Sequence, residues 1–318
     1  MNEEGLKVLI VDDMHESITS LFENAGFVPD YRPLIRPEEV REIIHEYHGL
    51  VIRSKMSVDR ELIDRAVNLK FVARAGAGLD KVDYTYVSSK GIKLINAPEG
   101  NRDALAEHTV GMLLTIFNKL NTGTEEVKSG VWNREANRGW ELMGRTVGVY
   151  GYGYMGAAFA QRLKGFSCRV VAYDKYKSGF STDYLEEVSL QEFFDEVEVL
   201  SIHVPLTSET RFLFDEKYFA RFKNLKFLLN TSRGEVVKLS AVNDLLKRGV
   251  LLGAGLDVLE NEKLDKLTEA QRADFEELIS YPNVILTPHV AGWTFESYRK
   301  INEVLIRKLQ AGDLAQLS

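Results

Sequence analysis

Cysteine is nearly absent from this chain of 318 residues, where Cys168 stands alone. An intramolecular disulfide and a cysteine-ligated metal centre are thereby excluded, and Cys168, at the edge of an apolar run, reads as a small buried hydrophobe. Long apolar stretches are missing too. The longest, near Val110 to Phe117, falls far short of the roughly 20 residues that span a bilayer. Basic charge does not dominate. Forty Lys and Arg against 47 Asp and Glu leave a net charge of −7, which argues against a general nucleic-acid binder but leaves room for a local anion pocket. The opening MNEEGLKVLIVDD sets acids before a short strand and has no cleavable apolar region, so the cytoplasm is the expected compartment. No constellation of metal ligands is seen, and no metal is expected.

What is present is ordinary in bulk and specific in one place. A hydrophobic content of 45% and a charged content of 27% suit a soluble globular protein, and the length suits two domains. The specific place is TVGVYGYGYMGAAFAQRLKGFSCRVVAYD at 146–174. Thr146 to Tyr150 reads as a buried strand, Ala157 to Lys164 as a helix, and Arg169 to Tyr173 as a second strand. Gly151, Gly153 and Gly156 have G-x-G-x-x-G spacing. The first permits the tight turn, the second lets a pyrophosphate approach the backbone, and the third lets the helix pack on the strand. Tyr154 and Met155 would offer backbone N–H groups at the helix N-terminus. Asp174 follows Gly156 by 18 residues, where an acid can accept a ribose 2′-OH and repel a 2′-phosphate. Lys175 and Lys177 beside it leave use of NADP open.

Strands and helices alternate along the remainder. Strands are expected at 6–11, 28–32, 50–52, 71–75 and 92–95, then at 197–202, 227–229, 253–256 and 284–286. Helices are expected at 15–25, from 37, at 58–67 and 82–89, then at 216–222, 241–247, 270–280 and 294–309. Residues 101–128 read as one long helix or two broken ones, capped by Asn101 or Asp103. The fold class is α/β with two doubly wound parallel sheets.

Eight stretches in order resemble the D-isomer-specific 2-hydroxyacid dehydrogenases over nearly the whole chain: VIRSKMSVD (51–59), ARAGAGLDKVD (73–83), NAPEGNRDALAEHTVGMLL (96–114), GVYGYGYMG (148–156), HVPLT (203–207), LLNTSRGEVV (228–237), GAGLDVLENE (253–262) and ILTPHVAGWTFES (285–297). Within the family, NAPEGN with Arg53 and Arg74 is most similar to the 3-phosphoglycerate dehydrogenases. The resemblance implies a Rossmann cofactor domain, 98–292, inserted in a flavodoxin-like substrate domain, 1–97 and 293–318. It also implies dimerisation through the helix starting near Asn101 and, since the chain ends just after the last family helix, no C-terminal regulatory domain.

The implied chemistry is hydride transfer between NAD and a D-2-hydroxy acid. 3-Phosphoglycerate and 3-phosphohydroxypyruvate, of serine biosynthesis, are the preferred pair. A glyoxylate/hydroxypyruvate reductase or D-lactate dehydrogenase is the alternative, and an NAD-responsive corepressor the non-enzymatic one. The resemblance places His289 as acid/base, Glu262 on its other ring nitrogen and Arg233 on the substrate carboxylate. Histidine titrates near neutrality, and guanidinium pairs bidentately with carboxylate. Lys263 stands where relatives often have proline, so Glu260 is held as a second candidate. Ala75, Gly76, Ala77 and Gly78 offer backbone N–H groups to the carboxylate. Arg53, Ser54, Lys55 and Arg74 can form an anion pocket, unless the arginines pair with Asp59 or Asp80. Arg134 and Arg138 are lesser candidates, and His108 reads as a packed helix residue. His203, Val204 and Pro205 would line the adenine side, Thr231, Asp257 and Gly292 would lie near the nicotinamide, and Ser232 is a further cofactor-binding candidate.

Overall fold

The computed structural model describes residues 5–312, so the ends of the expected substrate domain, 1–4 and 313–318, lie outside the described residues. The chain divides into two compact units, Met1–Arg102 with Trp293–Ser318, and Asp103–Gly292. No helix among the described residues is long and apolar enough to cross a membrane.

The first unit holds β1 (Lys7–Ile10), α1 (Ser17–Asn24), β2 (Val28–Tyr31), α2 (Pro37–Ile43), β3 (Gly49–Ile52), α3 (Arg60–Arg65), β4 (Phe71–Arg74), α4 (Tyr84–Ser89) and β5 (Lys93–Asn96). The sheet is parallel with order β2-β1-β3-β4-β5, the flavodoxin-like order. Its inner strands read as continuous apolar runs because both faces are covered. Leu9, Leu50, Ile52 and Val72 meet Val40, Ile44 and Leu62 on one face. The alternate residues Val8, Ile10, Val51 and Ala73 meet Ile18 and Phe22 of α1 and Ile301 and Leu305 of the C-terminal helix, Phe295–Ala311, on the other.

The division between the units falls within α5 (Pro98–Phe117). This helix starts earlier than expected, because Pro98 suits a first helical turn. Asn101 and Asp103 therefore lie inside it and do not cap it, and Asp103 accepts from Arg162 at 2.8 Å. Of the two expectations for 101–128, the broken form is found. Lys119 adopts φ 49° before α6 (Leu120–Lys128) begins.

The second unit continues with β6 (Thr146–Tyr150), α7 (Tyr154–Leu163), β7 (Arg169–Tyr173), β8 (Glu186–Glu187), α8 (Leu190–Glu196), β9 (Val199–Ile202), α9 (Glu216–Phe219), β10 (Phe227–Asn230), α10 (Leu239–Lys247), β11 (Gly253–Leu256), α11 (Glu269–Ile279) and β12 (Val284–Leu286). Helix α8 was not expected. Its signal is the capping box Ser189-x-x-Glu192, in which each side chain accepts from the other residue's backbone N–H. The parallel sheet runs β12-β11-β10-β9-β6-β7-β8. The chain proceeds outward from β6 in one direction, then returns to β9 and proceeds in the other. The strand order thus reverses between β6 and β9, which is where an open α/β sheet leaves a crevice at its carboxyl ends.

Candidate functional site

The fingerprint glycines lie at that reversal. Gly151 has φ 97°, and a Cβ on it would lie 2.8 Å from His203 O. A Cβ on Gly156 would collide with Gly151 O, so the close packing of α7 on β6 requires glycine there. Gly153 is different. A Cβ on it would meet no protein atom within 4 Å, and it stands at the N-cap of α7 with no side chain to cap the helix. The N-terminal turn, with Tyr154 half exposed and Met155 behind it, therefore faces outward, as anion binding there requires. These features fit a dinucleotide pyrophosphate.

Asp174, at the end of β7, is oriented by backbone donors. Tyr152 N–H reaches its Oδ2 at 2.8 Å, and Tyr176 and Lys177 N–H reach its Oδ1 at 2.9 and 3.1 Å. His203 turns inward. Its ring is buried, lies 5.4 Å from Phe159 and shares a 2.8 Å hydrogen bond with Ser201 through Nε2. Burial pushes its pKa down to about 3. Its backbone carbonyl lies against the fingerprint turn, so His203 would border an adenine through its backbone while its ring packs inward. Val204 and exposed Pro205 follow it on the loop after β9.

The candidate acid/base residues come from three loops of the same unit. His289 Nδ1 lies 2.9 and 3.1 Å from the two carboxylate oxygens of Glu262. That pairing fixes which ring nitrogen is held and leaves Nε2 for proton exchange. Lys263 does not disrupt the loop. Its backbone N–H, which a proline would lack, donates to Asn261 Oδ1 at 3.0 Å. Glu260 points elsewhere, accepting from Leu239 N–H at the start of α10. Burial raises the Glu260 pKa, and it is not the histidine's partner.

His289 has φ 56°, a left-handed conformation that a histidine rarely adopts. Asp257, buried at the end of β11, imposes it. Its backbone carbonyl accepts His289 N–H at 2.8 Å, and its carboxylate accepts Val290 N–H at 2.8 Å, Ala291 N–H at 2.9 Å and Thr287 Oγ1 at 2.6 Å. His108 of α5 joins this network, with Nε2 3.1 Å from Thr287 Oγ1. It is more than a packed helix residue; the AEHT run of the family resemblance was its only signal. Gly292 closes the loop.

Arg233 follows β10 in extended conformation. Asn230 shapes its loop, accepting from Ser232 N–H and Oγ at 3.1 and 2.8 Å and donating to Arg233 O at 3.1 Å. Thr231 is buried against Thr109, 3.2 Å between hydroxyl oxygens. A Cβ on Gly234 would collide with Leu259 O, so glycine there lets the Arg233 loop lie against the chain leading to Glu262.

In the first unit the strand ends carry the expected anion-binding residues. Buried Asp12 accepts from Arg53 N–H at 2.6 Å and Lys55 N–H at 3.1 Å, which shapes the loop containing Ser54. The Arg53 guanidinium lies 4.5 Å over the Trp293 ring and 5.7 Å from that of Tyr298. Its Nη1 is buried without a hydrogen-bond partner among the described residues. Asp59 does not pair with it. Asp59 takes Arg41 through two bonds of 2.9 and 2.7 Å, chiefly for which its pKa falls to about 2. Lys55 leaves the expected cluster, because its ammonium donates to Pro33 O and Ile35 O. Ala75 N–H donates to Ile52 O at 2.7 Å, so of 75–78 only the later N–H groups can face a ligand. Arg74 folds over Gly76 (φ 132°), where a Cβ would collide with its Nη1. Arg138 pairs with Glu135 at 2.6 Å on the surface.

The comparisons agree with this architecture. The family model "D-isomer specific 2-hydroxyacid dehydrogenase, NAD binding domain" matches residues 110–291. The hydroxypyruvate reductase of Thermotoga maritima is 33% identical, covering 95% of this chain and 97% of the relative. The D-3-phosphoglycerate dehydrogenase of Methanocaldococcus jannaschii is 31% identical over 98% of this chain, which spans only 59% of that relative. Among solved structures, the D-lactate dehydrogenase of Aquifex aeolicus, complexed with NAD and lactic acid, is 28% identical. It matches with a TM-score of 0.83 over 98% of this chain and 97% of that one.

Proposed function

Because the chain belongs to the D-isomer-specific 2-hydroxyacid dehydrogenases, oxidoreductases acting on CH–OH with NAD(P), we propose that it uses NAD and interconverts 3-phosphoglycerate and 3-phosphohydroxypyruvate. The observation that carries the substrate reading is Arg53. A guanidinium with a buried, unpartnered N–H and an aromatic ring against it is suited to an anionic group, and phosphate matches guanidinium geometry. Asp174 supports NAD, because a carboxylate accepts a ribose hydroxyl and repels a 2′-phosphate.

In the direction of reduction, Arg233 binds the carboxylate and draws charge toward the developing alkoxide. The His289 Nε2 proton passes to that oxygen, while Glu262 holds Nδ1 and stabilises the imidazolium beforehand. Nicotinamide dinucleotide held by the fingerprint turn at Gly151 to Gly156 and by Asp174 would supply hydride chemistry at C2 in either direction. The N–H groups of Gly76 to Gly78, at a strand end of the first unit, are suited to a carboxylate. Asp257 and Thr287 act through the His289 loop and are positioning residues.

A second reading, hydroxypyruvate or glyoxylate reduction, is favoured by the nearly full-length match to a hydroxypyruvate reductase and by the withdrawal of Lys55. Initial rates with NADH over glyoxylate, pyruvate, hydroxypyruvate and 3-phosphohydroxypyruvate separate the two. The phosphorylated acid should have the highest kcat/KM, and Arg53→Ala should lower it by about 100-fold, the range for losing a charge-assisted contact of 2–3 kcal/mol. Equal rates for the phosphorylated and free acids would refute the phosphate reading and leave the reductase reading standing.

A further inference from the structure

Asp174 is followed by Lys175, Tyr176 and Lys177, two ammonium groups and a phenol. In sequence, these are donors fit to grip a phosphate on the ribose 2′ position. In the structure they are already engaged. Lys175 Nζ lies 2.6 Å from Glu209 Oε2, and Tyr176 Oη donates to the same oxygen at 2.6 Å. Lys177 Nζ donates to Tyr152 O at 3.3 Å.

Glu209 does not reach this position by chance of a long side chain alone. It sits on a built turn after β9, in which Thr207 N–H donates to Thr210 Oγ1 at 2.8 Å, Thr210 Oγ1 donates to Pro205 O at 2.6 Å, and Arg211 N–H donates to Thr207 O at 3.0 Å. Lys175 and then Tyr176 hold its carboxyl below the ordinary glutamate range, so it is charged at neutral pH.

We propose that Glu209 is a specificity-determining residue for the dinucleotide. It engages Lys175 and Tyr176 and so withdraws them from a 2′-phosphate. Discrimination thus has two components: Asp174 favours the free ribose, and Glu209 disables the Lys175 cation that would otherwise offset that preference. Repulsion of the wrong ligand complements attraction of the right one. The inference rests on the reading that this chain uses NAD.

The test is direct binding, which needs no substrate. Fluorescence titrations with NADH and NADPH are made on the wild-type chain, Glu209→Gln, Lys175→Ala and the double variant, at low and high salt. Glu209→Gln should shift the affinity ratio toward NADPH by about fivefold, the upper range for one exposed ion pair. The shift should shrink at high salt and vanish when Lys175→Ala is added. A ratio in Glu209→Gln within about twofold of wild type, or a shift that survives Lys175→Ala, would overturn the role of Glu209 while wild-type preference for NADH stands. Wild type binding NADPH at least as tightly as NADH would overturn the cofactor reading and this inference together.

Discussion

His289 combines an unfavourable backbone conformation with a fixed side chain. Its φ of 56° costs on the order of 1–3 kcal/mol, offset by the hydrogen bonds of its loop to Asp257. In return the ring is aimed by the backbone and held at Nδ1 by Glu262. His289→Ala should lower turnover by about 10³-fold, within the range of general acid–base catalysis, while NADH affinity stays within about twofold in a fluorescence titration. A variant that turns over at the wild-type rate would end the assignment. The residue type and its neighbours TPHVAG were legible in the sequence through the family resemblance. The positive φ and its imposition by Asp257 were not, because no local pattern near 289 names a partner 32 residues earlier. Lys263 shows the opposite error. Read as a departure from proline, it raised doubt about Glu262, yet its N–H supplies a turn bond that proline cannot make.

Among the elements, the β6–α7 turn shows how two glycines in one motif do different work. The space at Gly156 is filled by Gly151 O, whereas Gly153 faces no protein atom within 4 Å. Gly156→Ala should force helix and strand apart, costing about 2 kcal/mol as overpacking does, and should weaken NADH binding with it. Gly153→Ala should leave the urea midpoint nearly unchanged and weaken only the binding. If both variants bind NADH as wild type does, the fingerprint is not the dinucleotide site. The motif spacing alone supplied this division of roles. Spacing did not supply the start of α5. The caps read at Asn101 and Asp103 are overridden by Pro98 at the first turn, and the Asp103 carboxylate is taken by Arg162, a tertiary partner.

At the scale of the molecule, each unit closes over its own sheet, and the first is built from both ends of the chain. Leu305 packs with Val8 and Ile10, so the two ends are bound in one core. In the second unit, burial of His203 ties stability to pH. The native state keeps the ring neutral down to about pH 3, whereas the unfolded chain protonates it near pH 6.5. The unfolded state therefore binds the extra proton between those values. The contribution is fully present above about pH 6.5 and is lost as pH falls, at up to about 1.4 kcal/mol per unit. Urea midpoints at pH 7, 6 and 5 should decline, and His203→Gln, which can keep a bond to Ser201, should flatten that decline. Parallel slopes for the two proteins would show that another group is responsible.

The sequence by itself determined the α/β class and the dinucleotide turn and, through the ordered family stretches, singled out Arg233, Glu262 and His289 as the candidate acid/base set. These rest on local spacing and on residue types whose chemistry has few substitutes. Only the tertiary structure decided which partner each side chain takes. It gave Glu262 and not Glu260 to His289, gave Arg41 and not Arg53 to Asp59, turned Lys55 away from the anion site, and gave Glu209 to Lys175. A charged side chain binds whichever opposite charge the fold brings within about 3 Å, and that distance is set by loops far apart in the chain.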